Sequence, residues 1–296
     1  MKPTQVLESY TIMMVLGLVL GLACGGFPVY TKEISMASLA ILMTLSLSNV
    51  KIGETRNREH LNHAMRTLVV NYIFLTGLIL VLGLFFSDDL WPGWVLMAAA
   101  PSAVSIVPFT TVLGGQTSKA LFSTATNYML ALGIMPAMTL LLIGSAVSVM
   151  SLVYSLLLLI VLPMIASRLV TRANISKPVN TSMMNLMFAI LIFAVAGSNR
   201  DAFIGEPMVV IAVSVACVIR TFGSGLTTEF LMRKSGVPKE SRVSYVLFAS
   251  YKNLGLTATL AIALFEPIVA VPATICIVFE VVWVIFLIKY YPGVPA

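Results

Sequence analysis

Ser250-Tyr251-Lys252-Asn253-Leu254-Gly255 is a polar patch in the middle of an apolar run at 243–265. A second interruption, Ala100-Pro101-Ser102-Ala103-Val104-Ser105-Ile106-Val107-Pro108, cuts the run at 92–112. Its two prolines each remove a backbone donor and clash with the preceding turn, so a straight helix there would be strained by about 3 kcal/mol or more per proline. Unwound backbone at mid-membrane is tolerated only where it is buried in protein or lines a wet cavity. The half-helix after each break would aim its positive N-terminal end into that cavity, where an anion can sit. Ordinary proline kinks are the competing reading, and the matched pair of breaks argues against it.

Outward from these breaks the chain is apolar almost throughout. Hydrophobic residues make up 59% of the 296 and charged residues only 10%, against about 25% charged in a soluble domain. Mean hydropathy is +0.99. Runs close to the ~20 residues that span a bilayer fall at 10–26, 34–50, 67–86, 92–112, 120–143, 148–168, 182–197, 207–226, 243–265 and 267–290. The expected fold is an all-α membrane protein of ten transmembrane helices, a single transporter domain over residues 1–296. The first run lacks a small-residue cleavage site and is read as a helix, not a leader. Cys24, Cys217 and Cys276 each stand alone in an apolar run and are expected to be buried, inert thiols.

With the N-terminus in the cytoplasm, inner segments hold fourteen Lys and Arg, including Lys2, Lys51, Arg56, Arg66, Lys119 and Arg242. Outer segments hold only Lys32 and Arg200, beside Asp88, Asp89, Asp201 and Glu206. This bias predicts a cell-membrane protein with both termini cytoplasmic. The net charge of +6 reflects the same rule and implies no nucleic acid. Five plus five spans would place the second half upside down relative to the first, the layout of two inverted repeats, with broken helices four and nine.

Asn253-Leu254-Gly255-Leu256-Thr257-Ala258-Thr259-Leu260-Ala261 resembles an Asn-Ser-Gly-Leu-Ala-Ala-x-Leu-Ala pattern of the bile acid/sodium symporter family. That family lies within the superfamily that includes arsenite and auxin-efflux-type carriers. Weaker matches are Leu162-Pro163, Pro272-Ala273 and Met43-Thr44-Leu45. The resemblance implies a panel of helices 1, 2, 6 and 7 against a core of helices 3–5 and 8–10, with substrate in the crevice between them. Gly17, Gly21 and Gly25 would form a small-residue ridge for close packing of helix one. The sodium ligands of the family do not carry over. A Glu of the pattern falls on Phe248, a Gln on Lys252 and a Ser-Asn pair near Ile106-Val107, while Asn71 matches a Gln in helix three. A cation built into the chain at Lys252 therefore stands where sodium would bind, and transport is expected to be sodium-independent.

Arg220, Lys252 and Glu280 lie deep in apolar runs, where charge is expensive and usually functional. Glu280 could partner either cation but cannot neutralise both. The remaining charge suits an anionic substrate or a lysine that exchanges its proton. Candidate coupling residues are thus Lys252, Glu280, Arg220 and Asn71; candidate substrate contacts are Asn253, Ser102, Ser105, Thr126 and Asn127. His60 and His63 are read as solvated loop residues, and no metal or cofactor is implied. Without an acid–base or nucleophile constellation the chain is not expected to be an enzyme. The expected function is secondary transport of a small organic anion (bile-acid-, pantoate- or keto-acid-like), driven by protons, exchange or the substrate gradient, with lipid as the other partner. A sodium-coupled symporter with altered sites and a non-transporting membrane sensor are the alternatives.

Overall fold

The computed structural model describes residues 3–48, 58–144, 148–173 and 175–291, and among these all regular structure is helical. Lys2, Lys51 and Arg56, which entered the charge argument, lie outside the described residues. In chain order the main helices are α1 (Tyr10–Cys24), α2 (Thr31–Ser48), α3 (Arg58–Gly83), α4a (Trp91–Ala99), α4b (Ile106–Val112) and α5 (Thr117–Leu142). They continue with α6 (Met150–Arg172), α7 (Lys177–Ser198), α8 (Pro207–Lys234), α9a (Lys239–Ser250), α9b (Leu254–Leu264) and α10 (Pro267–Tyr290). Seven helical segments among the described residues are long and apolar enough to cross a membrane: α3, α5, α6, α7, α8, α9a with α9b, and α10. The chain is a multi-pass membrane protein.

Several helices outrun the apolar stretches that announced them. α3 begins at Arg58, where the hydropathy predicts 67, and α8 continues to Lys234 instead of stopping near 226. Hydropathy marks only the part of a helix at lipid depth; a polar end stays helical if one face finds a neighbour. The first turns of α3 do so, burying His60, His63, Ala64 and Thr67 against α5. His60 and His63 are therefore buried helix residues, which corrects the expectation of a solvated loop. Cys24 also departs from expectation, being exposed at the end of α1, whereas Cys217 and Cys276 are buried.

Both breaks follow from local chemistry. Ala100 precedes a proline and takes φ −59°, ψ 147°, the extended conformation that a following ring favours. Non-helical backbone runs from 100 to 105. Pro108, expected inside the break, instead sits in the first turn of α4b, where its missing N–H has no intrahelical partner to lose. In α9 the break covers 251–253, with Tyr251 extended at φ −117°, ψ 127°. Asn253 restarts the helix: its side chain accepts from Leu256 N at 3.0 Å, an N-cap.

α1 packs along α7, α7 also on α2, and α2 on α6. Small residues permit the first contact. A Cβ at Gly17 would stand 2.5 Å from the Ala189 carbonyl oxygen, and one at Gly21 2.7 Å from that of Phe193. Gly25 belongs to the helix cap, with φ 81°, so the expected three-residue ridge is two residues plus a terminus. Elsewhere α3 packs on α5, α4a on α3 and α5, α8 on α9a and α10, and α9b on α10, α4a and α2. α3 and α8 each contain a turn widened to i→i+5 bonding, at Val69–Leu75 and Ile219–Gly223. Such bulges recur at functional sites, and these carry Asn71 and Arg220.

Candidate functional site

The two breaks meet in the interior. Asn253 N donates to Pro101 O at 2.8 Å, which ties α9 to α4 backbone to backbone. Each break also strips intrahelical partners from the last carbonyls of its first half-helix, the negative end of that helix. At the end of α4a, Ala98 O and Ala100 O both accept from Lys252 Nζ at 2.9 Å. At the end of α9a, Phe248 O and Tyr251 O accept from Asn71 Nδ2 at 2.9 and 3.3 Å.

These two capping groups touch. Lys252 Nζ donates to Asn71 Oδ1 at 3.1 Å and to Thr76 Oγ1 at 3.0 Å, and it lies 4.5 Å from the centre of the Tyr72 ring. Lys252 has no exposed surface. Taking an ammonium out of water costs several kcal/mol even after relaxation. A hydrogen bond from a charged donor offsets about 1.5–3 kcal/mol, so several of the four oxygens are needed together to hold the charge there. They form an oxygen cage of the kind a cation requires.

Beside the cage, Arg220 Nη1 lies 2.5 Å from Glu280 Oε1. Glu280 thus pairs with Arg220, and its link to Lys252 runs through the main chain, with Lys252 N donating to Oε1 at 3.2 Å. Tyr251 OH donates to the Glu280 carbonyl at 2.6 Å, and Trp283 Nε1 to Ser250 Oγ at 2.9 Å, bracing α9a on α10. One carboxylate, Glu280, thus stands beside two basic side chains, Arg220 and Lys252, and its side-chain pairing is with Arg220.

A crevice of about 330 Å³ lies against this network, with α1, α2 and α7 on one side and the breaks and α10 on the other. Its walls are apolar (Tyr10, Leu39, Met43, Phe109, Phe188 and Ile277), and its polar lining includes Ser105, Lys252, Asn253 and Glu280. Ser46 and Asn185 extend it toward the ends of α2 and α7 that adjoin basic segments. At the opposite ends Gly26 and Gly197 are in backbone contact, leaving no room for a side chain on either.

Of the residues singled out in the sequence, Ser105, Lys252, Asn253 and Glu280 come together at the crevice. Asn71 and Arg220 stand one layer behind. Thr126 and Asn127 are not crevice residues: their side chains bond to the Phe122 and Ser123 carbonyls of their own helix, each at 2.9 Å, a usual outlet for polar groups in a helix. Ser102 is fully buried, and its hydroxyl has no protein partner. Sequence reasoning passed over Thr76 and Tyr128. Thr76 lies one widened turn after Asn71, and its hydroxyl donates to Ala98 O at 2.7 Å. Tyr128 is the neighbour of Asn127 that faces inward, and its hydroxyl accepts from Asn253 Nδ2 at 2.6 Å.

The SBF-like CPA transporter family (DUF4137) matches the chain over residues 31–287. The chain belongs to this family. No curated protein sequence matches it.

Proposed function

We propose that this member of the SBF-like CPA transporter family is a secondary transporter of a small organic anion, in which the Lys252 ammonium takes the place of a coupling sodium ion. The observation that carries the reading is the set of four oxygens around Nζ, at 2.9–3.1 Å. A fixed ammonium there supplies the charge of a bound metal ion without the ion, so the site is complete in the absence of sodium. The crevice fits an amphipathic anion: apolar walls for its body, and the N-terminal end of α9b at Leu254 and Gly255 for its charged group.

The same proposal includes the architecture implied by the bile acid/sodium symporter resemblance. Ten spans form two inverted halves, α1–α5 and α6–α10, with both termini cytoplasmic. α1, α2, α6 and α7 make a panel against which the remaining helices move in alternating access. Two features support the repeat. Asn71 and Arg220 occupy widened turns at matching positions, thirteen residues after the first residue of α3 and of α8. A break follows each, in α4 and α9. In this arrangement the crevice faces the cytoplasm.

The test is uptake of labelled bile acid, pantoate and pyruvate into proteoliposomes, with inward sodium or choline gradients at fixed pH and potential. Substrate-specific uptake that is equal under the two gradients is expected. Uptake that rises steeply with sodium would overturn the sodium-free reading, and no uptake of any organic anion would overturn the transport reading.

A further inference from the structure

A second pocket, of about 200 Å³, lies away from the crevice and shares no lining residue with it. It forms between three helices: His63 and Arg66 in the second and third turns of α3, Gln116 and Lys119 at the head of α5, and Ser241 in the first turn of α9a. Each of these helices has at least twelve residues, and α5 and α9a bring their first turns, the positive ends of their dipoles, to the pocket. Neither α5 nor α9a has a side chain capping its first turn. An independent feature marks the pocket as a binding site. His63 is only 5% exposed, its Nδ1 lies 2.8 Å from Ser123 Oγ, and its ring is stacked on Tyr245. Its Nε2 has no hydrogen-bond partner in the protein, an expensive state for a buried polar atom. The charged groups of the pocket are Arg66, Lys119 and Glu59, and Glu59 is a largely exposed carboxylate 3.1 Å from Lys119 Nζ.

We infer that this pocket binds a tetrahedral oxyanion, a phosphate or the phosphate of a phosphomonoester. With Ser123 Oγ donating to Nδ1, His63 Nε2–H becomes a donor into the pocket. Lys119 turns from Glu59 to the ligand, and Arg66 and Ser241 complete a set of donors drawn from both halves of the chain. Because Gln116 N already donates to Glu240 O at 3.2 Å, an anion here would clamp the start of α5 to the start of α9a. The phosphate can come from a soluble metabolite or from a lipid headgroup, since the pocket lies at the basic ends of these helices, where headgroups sit.

Thermal unfolding of the full-length protein in uncharged detergent, titrated with inorganic phosphate against chloride at constant ionic strength, tests the site. A saturable rise in Tm is expected. Lys119→Gln and Arg66→Gln should each weaken the apparent affinity about tenfold without changing Tm in chloride, and Lys119→Arg should restore most of it. Absence of a phosphate-dependent shift, or an equal shift in the Lys119→Gln/Arg66→Gln double variant, would overturn the site. Repeating the titration in phosphatidylcholine nanodiscs with and without phosphatidic acid identifies the source. Loss of the phosphate response in phosphatidic acid supports a headgroup occupant, and an unchanged response supports a soluble one.

Discussion

Asn71 and Lys252 lie 3.1 Å apart, Oδ1 to Nζ, and each caps the broken helix of the opposite half of the chain. Asn71, from α3, bonds the carbonyls that end α9a. Lys252, from the break in α9, bonds the carbonyls that end α4a. Thr76 of the first half also donates to Ala98 O, but the other side-chain bonds to these carbonyls cross between the halves, so the two halves hold each other open at the crossing.

Removing the ammonium should expose this dependence. Lys252→Ala leaves Asn71 Oδ1 and Ala100 O without the donor that holds them, each worth about 1–3 kcal/mol when orphaned, and a destabilisation of about 3 kcal/mol is expected. The vacated cage is suited to a small cation. The Tm of the variant should therefore rise in sodium chloride relative to choline chloride, while the parent protein shows no difference. A variant equally stable in both salts would mean that the oxygens do not form a cation site.

Arg220 and Glu280 should behave as one unit. Removing one partner of a buried pair leaves an uncompensated charge and typically costs about 3–5 kcal/mol. Arg220→Gln and Glu280→Gln are each expected to destabilise strongly, and the double variant by clearly less than their sum. Additive losses in a double-mutant cycle of unfolding free energies would count against the pair.

Asn253 separates capping from recognition. Asn253→Ala removes an N-cap, a loss of about 1 kcal/mol, together with the Tyr128 contact. Asn253→Ser keeps a capping oxygen and should recover most of that stability. Both variants lose the carboxamide that faces the crevice, so uptake should fall in both. Normal uptake by Asn253→Ser would move the substrate elsewhere.

The α1–α7 seam should be intolerant of bulk. Gly17→Val drives side-chain atoms into the Ala189 carbonyl, and overpacking of this kind costs about 1–3 kcal/mol. A Cβ at Gly77 would meet nothing within 4 Å, so Gly77→Ala should be neutral or slightly stabilising in a helix interior. Thermal unfolding of the two variants side by side checks both expectations.

Thr126→Val is the control for the crevice. Thr126 already spends its hydroxyl on the Phe122 carbonyl, and it does not line the crevice. Uptake kinetics should be unchanged; a shift in KM would place α5 closer to the substrate.

The sequence by itself determined the membrane class and where the helices break, because these depend on local properties. Burial in lipid demands long apolar runs, Pro101 strains a continuous helix, and Asn253 offers a cap wherever the chain places it. Even the hidden start of α3 has a local signature, with His60, His63 and Thr67 recurring at helical spacing on one face. Only the tertiary structure decided who meets whom. Glu280 was equally available to Arg220 and Lys252, and the packing of α8 on α10 gave it to Arg220. Half of the oxygens around Lys252 belong to main-chain carbonyls of Ala98 and Ala100, which every residue possesses and no residue type advertises. They become ligands because a break in one half removes their partners and the other half supplies a donor 154 and 152 residues away, a relation that exists only when the two halves are folded together.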